Sequence, residues 1–221
     1  MTDLHLPLLA LAWLAYFALH SLLASLALKQ WVAARWPALS PAYRLAYNLL
    51  AVVLLLPPAW LLLSWSGPLL WSWSGAWAWV AHAAALLAGA LFLWSLQSYD
   101  SGEFSGLRQW RRRNGEVMDT ESLHISPLHR YVRHPWYACA LLLIWTRDMD
   151  AARLLSALLA TGYFVVGSLL EETKLVRYHG EAYRRYRRAV PGLVPWPGRR
   201  LSAAQAEELE ALAREEAATR S

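Results

Sequence analysis

Long apolar stretches separated by short polar turns set the frame of this chain. Leu4 to Leu28 is a run of about 25 residues interrupted only by His5 and His20, more than the roughly 20 needed to cross a hydrocarbon core. No Lys or Arg precedes it, and it exceeds the roughly 7–15 apolar residues of a secretory leader, so it is expected to be a first membrane span. Tyr43 to about Leu63 predicts a second, containing Asn48 and a Pro57-Pro58 pair. That pair removes backbone donors and is expected to kink or break the helix near its outer end. Trp77 to about Leu96 predicts a third span. Trp136 to Trp145 is too short to cross alone, covering roughly 15 Å as a helix. After the polar turn Thr146-Arg147-Asp148-Met149-Asp150, Ala151 to Leu170 returns across the membrane as the second arm of a hairpin.

This pattern predicts an all-α integral membrane protein with about five transmembrane helices, a helical hairpin and a cytoplasmic C-terminal cap. Its expected divisions are three membrane helices over 1–96, a basic connector over 97–134, the hairpin and cap over 135–197, and an Ala- and Glu-rich tail over 198–221. The tail reads either as a short surface helix with Ser202 at its N-cap or as a frayed extension, since an isolated helix of that length is marginal in water.

Composition agrees: 57% of residues are apolar, there are 14 Trp, and charge is almost absent from the first ninety-five positions. Trp60, Trp65, Trp71, Trp73, Trp77 and Trp79 crowd a segment without charge and predict an interfacial belt. Lys29, Arg35 and Arg44 follow the first span, and Arg108, Arg111, Arg112, Arg113, Arg130 and Arg133 follow the third. The positive-inside rule puts these segments in the cytoplasm and the N-terminus outside, in an arrangement expected of a bacterial inner membrane. The net charge of +5 is accounted for by basic residues meeting anionic headgroups, so the bilayer is the expected partner and nucleic acid is not.

The chemistry concentrates in Arg133-His134-Pro135-Trp136-Tyr137 and in Glu171-Glu172. Pro135 disfavours helical geometry at His134, so a helix is expected to begin there with His134 exposed at its N-terminus, where free amides favour an anion. The hairpin then brings Glu171 and Glu172 level with Arg133 and His134. An arginine and a helix N-terminus can take a carboxylate and a glutamate can take an ammonium or ribose hydroxyls, which suits an amino-acid-like ligand. Tyr137, Tyr183 and Tyr186 can stack on a heterocycle or face a cation. Equally open on the residues alone is a cluster of snorkelling side chains paired among themselves. His124, His129 and His134 recur every five residues, a spacing that shares no helical face, and no metal site is expected. Cys139 is the only cysteine, which excludes an intramolecular disulfide and reads as packing.

The order of these elements resembles the isoprenylcysteine carboxyl methyltransferase and phospholipid methyltransferase superfamily of integral membrane enzymes. The resemblance covers roughly 97–197 and rests on Ser126-Pro127-Leu128-His129-Arg130-Tyr131-Val132-Arg133-His134-Pro135-Trp136-Tyr137, Leu170-Glu171-Glu172-Thr173-Lys174-Leu175, His179-Gly180-Glu181-Ala182-Tyr183-Arg184-Arg185-Tyr186 and Val190-Pro191-Gly192-Leu193-Val194-Pro195. Phe104-Ser105-Gly106-Leu107-Arg108-Gln109 and Thr161-Gly162-Tyr163 are similar to the methanethiol S-methyltransferase branch. The resemblance implies S-adenosyl-L-methionine as cofactor, contacted by Arg133, His134 and Tyr137 and held at its polar groups by Glu171 and Glu172. It also implies a small or lipophilic thiol as acceptor, whose anion a basic rim of Arg108, Arg188 or His129 would favour.

The chain departs from the superfamily pattern at Pro127, His129, Cys139, His179 and Ala189, and Cys139 in place of glycine is expected to narrow the cofactor slot. Two other readings stay open at this point. One is an NADPH-dependent sterol-type reductase, whose C-terminal region is similar. The other is a non-catalytic membrane binding or assembly protein with a decayed cofactor site.

Overall fold

A computed structural model describes residues 4–65, 67–98, 102, 105–113 and 122–219. Helix α1 (His5–Ala24) stops short of Leu28 because Ser25 turns extended. The Ser25 hydroxyl donates to Leu22 O at 2.7 Å and accepts from Leu28 N at 3.3 Å. It thereby closes one helix and caps the next, α2 (Leu26–Arg35). A hydroxyl that satisfies both ends competes with a continuous helix.

A 3₁₀ turn, Pro37–Ala42, leads into α3 (Tyr43–Ser64). This helix continues through Pro57 and Pro58 to Ser64, so no break occurs at the proline pair. Membrane helices tolerate prolines where neighbouring groups resatisfy the freed carbonyls. The segment after α3 holds a short strand, β1 (Leu69–Trp71), which the apolar pattern does not foretell. Then come α4 (Gly75–Ser95), α5 (Leu107–Arg112), α6 (Pro135–Trp145), β2 (Met149–Asp150), α7 (Ala151–Ala189) and α8 (Ala203–Ala218). Phe104 and residues 114–121 of the connector lie outside the described residues.

Among the described residues four helical stretches are long and apolar enough to cross a membrane: His5–Ala24, Pro37–Ser64, Gly75–Ser95 and Ala151–Ala189. Leu63, Trp79 and Leu86 are among many large apolar side chains left exposed. A helix apolar all round but not covered by protein belongs in lipid. This is an all-α integral membrane protein, with α6 as a shorter helix: its 11 residues span roughly 16 Å, about half of a hydrocarbon core.

The chain forms two compact units. The first comprises Met1–Trp73, Tyr99–Asp119 and Asp148–Ala160. Here α1 lies along α3, and the polar residues that interrupt their apolar runs find one another. Tyr47 Oη is 2.9 Å from His20 Nε2, Tyr43 Oη donates to Leu23 O at 2.6 Å, and Asn48 Nδ2 donates to Ser105 O at 3.1 Å. Such pairing is what makes polar groups tolerable within apolar helices. The connector after α1 meets α5, and β1 pairs antiparallel with β2. Alternate connectors therefore meet, as they must in a chain that crosses back and forth. Asp148 Oδ1 accepts from Trp73 N at 2.9 Å beside that ribbon, and Asp150 Oδ1 accepts from Arg153 N at 2.9 Å, capping α7.

The second unit comprises Ser74–Ser98, Thr120–Arg147 and Thr161–Ser221. A stripe of small residues on α4, Ala81, Ala85, Ala88 and Ser95, is buried, and small residues let helices approach closely. Trp136 Nε1 of α6 donates to Ser95 Oγ at 2.7 Å. On the other side of α6, Trp145 Nε1 donates to Thr161 Oγ1 at 3.1 Å and Tyr137 stacks on Phe164, which pairs α6 with α7 as the expected hairpin. Gly180 interrupts α7 with φ 53° and ψ −128°, a conformation open essentially to glycine alone. The chain turns there into a final helical stretch over 181–189. This stretch and α8 enclose a core of Ile125, Tyr183, Tyr186, Val190, Leu201, Ala206 and Leu209.

Gly106 explains part of the Phe104–Gln109 motif. Its φ is +85°, and a Cβ there would lie 2.6 Å from Leu45 N and 2.9 Å from Arg44 Cβ. Gly106→Ala is expected to destabilise the detergent-solubilised protein by about 2 kcal/mol or more. Gly162→Ala, where a Cβ meets nothing within 4 Å, is expected to be neutral or stabilising by up to about 1 kcal/mol. Thermal unfolding of both variants checks the contrast, and equal effects would refute it.

Candidate functional site

The site grows from two motifs joined through their backbones. Arg133 N donates to Pro191 O at 2.9 Å and His134 N to Gly192 O at 3.0 Å. The Val-Pro-Gly segment thus runs alongside the Arg-His-Pro segment, although nearly sixty residues separate them. Two further bonds extend this pairing: Leu201 N donates to Arg130 O at 3.0 Å and Arg130 Nε to Leu201 O at 3.1 Å.

Arg133 is the hub. Its Nε donates to Glu172 Oε1 at 2.8 Å, and its Nη2 lies 2.6 Å from the same oxygen. Its Nη1 donates to Arg187 O at 2.9 Å and to Val190 O. One planar guanidinium therefore holds a carboxylate of α7 and covers carbonyls at that helix's C-terminal end, where cationic charge is favoured. The superfamily resemblance implies a cofactor contact for Arg133; in the structure most of its donors are engaged by the protein.

His134 caps α6 at φ −122° and ψ 71°, followed by Pro135 at the first helical position. The helix starts where the proline predicts. The imidazole is not exposed, however: His134 retains 7% of its accessible surface. Its Nε2 lies 3.1 Å from Glu172 Oε1 and its Nδ1 3.5 Å from Glu171 Oε2, so two carboxylates flank the ring. Tyr137 stacks on it at 5.5 Å, and Phe164 stacks on Tyr137 at 4.8 Å. Burial follows from this column of rings and from the backbone pairing with Gly192.

The two glutamates differ. Glu172 is 4% exposed, and among the described residues its hydrogen bonds and ion pairs are all made through Oε1. Glu171 is open, its side chain 49% exposed. One carboxylate is structural on one oxygen, and the other faces outward beside the His134 ring.

Arg133, His134, Tyr137, Glu171 and Glu172 are thus brought together. Tyr183 and Tyr186 are given to packing: both are buried, their rings meet edge to face at 5.6 Å, and Tyr186 Oη donates to His129 O at 2.7 Å. Covered rings of this kind support the Arg-His-Pro segment from beneath and have no free face for a heterocycle. Phe164 escapes sequence reasoning, although its position eight residues before Glu172 places both on one helical face. Cys139 is buried, two residues after Tyr137 and therefore roughly 160° from it around α6. It lies away from the Tyr137 face, and so does not narrow the space beside that ring.

The residues expected to form a basic rim are Arg108, Arg188 and His129. Arg108 is exposed on α5 in the first unit. Arg188 Nη2 donates to Glu181 Oε1 at 3.0 Å. His129 Nδ1 lies 2.7 Å from Ser126 Oγ, and burial, reinforced by the neighbouring His124 and His134 imidazoles, pulls it down from its usual 6.5 to about 4. At neutral pH His129 is therefore uncharged and adds nothing to a positive rim. Among the described residues no group of three or more His, Cys, Asp and Glu side chains is placed to hold a metal ion.

These features define an all-helical integral membrane protein with a buried guanidinium–carboxylate–imidazole cluster at the start of a helical hairpin. Over 200 residues the chain is 35% identical to the methanethiol S-methyltransferase of Mycobacterium tuberculosis, covering 86% of this chain and 78% of the relative. Over 180 residues it is 34% identical to methanethiol S-methyltransferase 2 of Bradyrhizobium diazoefficiens, covering 80% and 68%. A shorter match, 45% identical over 73 residues, joins 33% of this chain to 29% of the methanethiol S-methyltransferase of Crocosphaera subtropica. No protein-family model matches, and no solved structure does. The chain belongs to the methanethiol S-methyltransferase family.

A neutral, half-buried His129 sets a pH dependence. Between pH 6.5 and about 4 the unfolded chain takes up a proton that the folded chain refuses. Stability therefore falls as pH drops through that window, by up to about 3 kcal/mol from this group. His129→Gln is expected to remove this share and flatten the acid limb, as read by unfolding midpoints from pH 7.5 to 4. Parallel acid limbs for the two proteins would contradict it.

Proposed function

We propose that this protein transfers the methyl group of S-adenosyl-L-methionine to a small thiol such as methanethiol, leaving a thioether. The observation that carries the reading is the match to methanethiol S-methyltransferases over 80% or more of the chain. The cluster's donor set fits the cofactor. The open Glu171 and the second oxygen of Glu172 are suited to an ammonium or to ribose hydroxyls. Tyr137 holds the His134 ring in place by stacking, and the N-terminus of α6 favours a carboxylate.

When bound there, S-adenosyl-L-methionine supplies a methyl carbon already activated by its sulfonium charge. The residues around it bind and orient, and Arg133 fixes Glu172 so that little reorganisation remains to be made on binding. Alignment of donor and acceptor with exclusion of water is the main source of rate. The thiol must lose its proton to become the better nucleophile. In this proposal a cation such as Arg188 favours the anion, while His129, neutral and tied to Ser126, offers an uncharged imidazole. The acceptor enters from the apolar phase and the cofactor from the cytoplasm, with the N-terminus outside and the inner membrane as location.

Calorimetry on detergent-purified protein is expected to show binding of S-adenosyl-L-methionine and of its demethylated product, with none for NADPH. Glu171→Gln is expected to weaken both by about tenfold, the loss of one charge-assisted hydrogen bond. Headspace chromatography is expected to detect dimethyl sulfide when methanethiol is added. A folded sample that binds only NADPH, or neither ligand, would overturn the proposal.

A further inference from the structure

The C-terminal helix α8 carries two carboxylates whose partners are backbone amides of the site's own scaffold. Glu210 Oε1 accepts from Ile125 N at 2.6 Å and lies 3.3 Å from His124 Nδ1. Glu216 receives Glu181 N on both oxygens, at 3.1 Å each. Glu181 is the first residue after the Gly180 interruption, so its amide heads the helical stretch 181–189 and has no carbonyl of that stretch to bond. A carboxylate at that end complements the helix dipole as well as the free amide. At the opposite end the helix-end carbonyls, Arg187 O and Val190 O, are taken by Arg133. The stretch is thus clamped between an anion from the tail and the cation of the cofactor cluster.

The tail is seated firmly enough to do this. Ser202 and Gln205 form a reciprocal cap at its start, and Ala206, Leu209 and Ala213 bury one face. Glu216 follows Leu209 by seven residues and so continues that buried face.

We propose that Glu216 is a positioning residue for the methyl-donor site: by fixing the 181–189 stretch it sets where Arg133 holds Glu172, and through Glu172 where His134 is held. The inference rests on the proposed function for its kinetic readout. The mechanical link can be read without any ligand.

The test compares wild type with Glu216→Ala and Glu216→Gln in two measurements. Hydrogen exchange in the ligand-free protein is expected to quicken at least tenfold in Glu216→Ala across peptides covering 130–136 and 185–193, while α4 stays as in wild type. Steady-state kinetics are expected to show a KM for S-adenosyl-L-methionine raised about tenfold, with kcat changed less than threefold and Gln restoring most of the loss. A purely structural tail would lower kcat with the folded fraction and leave KM alone, and that result would overturn the proposal. So would unchanged exchange at 130–136. If wild type binds no methyl donor, the functional reading fails separately, and the exchange data alone decide the coupling.

Discussion

A guanidinium taken out of water has five N–H groups to satisfy, and most of the second unit is arranged around how Arg133 satisfies its own. Two of its nitrogens meet one oxygen of Glu172, and the third meets carbonyls of Arg187 and Val190. An ion pair of this kind is not by itself a strong source of stability, because desolvation offsets much of the attraction. Its value is geometric. Losing either partner strands the other, so α7, the end of that helix and the segment before α6 are constrained to one relative placement. His134 inherits its position from the same constraint, since its amide and that of Arg133 bond consecutive carbonyls of the Pro-Gly segment.

The apolar stretches serve this arrangement from a distance. Their exposed leucines and tryptophans commit the chain to lipid, and within lipid backbone groups must be satisfied internally. A short α6 is allowed because it leans on both α4 and α7 through Trp136 and Trp145. Its shortness places His134 at the start of the hairpin where Glu171 and Glu172 come alongside. Gly180 then lets the polar half of the long helix turn into a separate stretch, so that Tyr183 and Tyr186 can seal a core beneath the cluster.

Much of this was legible in the sequence. The apolar runs and the proline after His134 gave the spans and the start of α6 to within a few residues, because both depend on local chemistry. The nearness of the glutamates to His134 followed from the hairpin. Contacts formed by residues remote in sequence were not legible. Ser25 ends a run that hydropathy continues, the β1–β2 ribbon joins two turns 80 residues apart, and the exposed His134 of the sequence reading is buried under Tyr137. Nor does periodicity reveal that Tyr183 and Tyr186 face a core, since a tyrosine that stacks on a ligand and one that fills a core follow the same spacing. The tail, ambiguous between helix and frayed end, was decided by two carboxylates reaching amides more than thirty residues away.

Arg133 and Glu172 are expected to act as one unit that fixes the site. A double-mutant cycle on Arg133→Met, Glu172→Gln and the combined variant, read by unfolding in a fixed detergent, measures this directly. Strong coupling of about 2 kcal/mol or more is expected, with the double variant less destabilised than the sum of the singles. Additivity to within about 0.5 kcal/mol would contradict the account and reduce the pair to neighbouring charges.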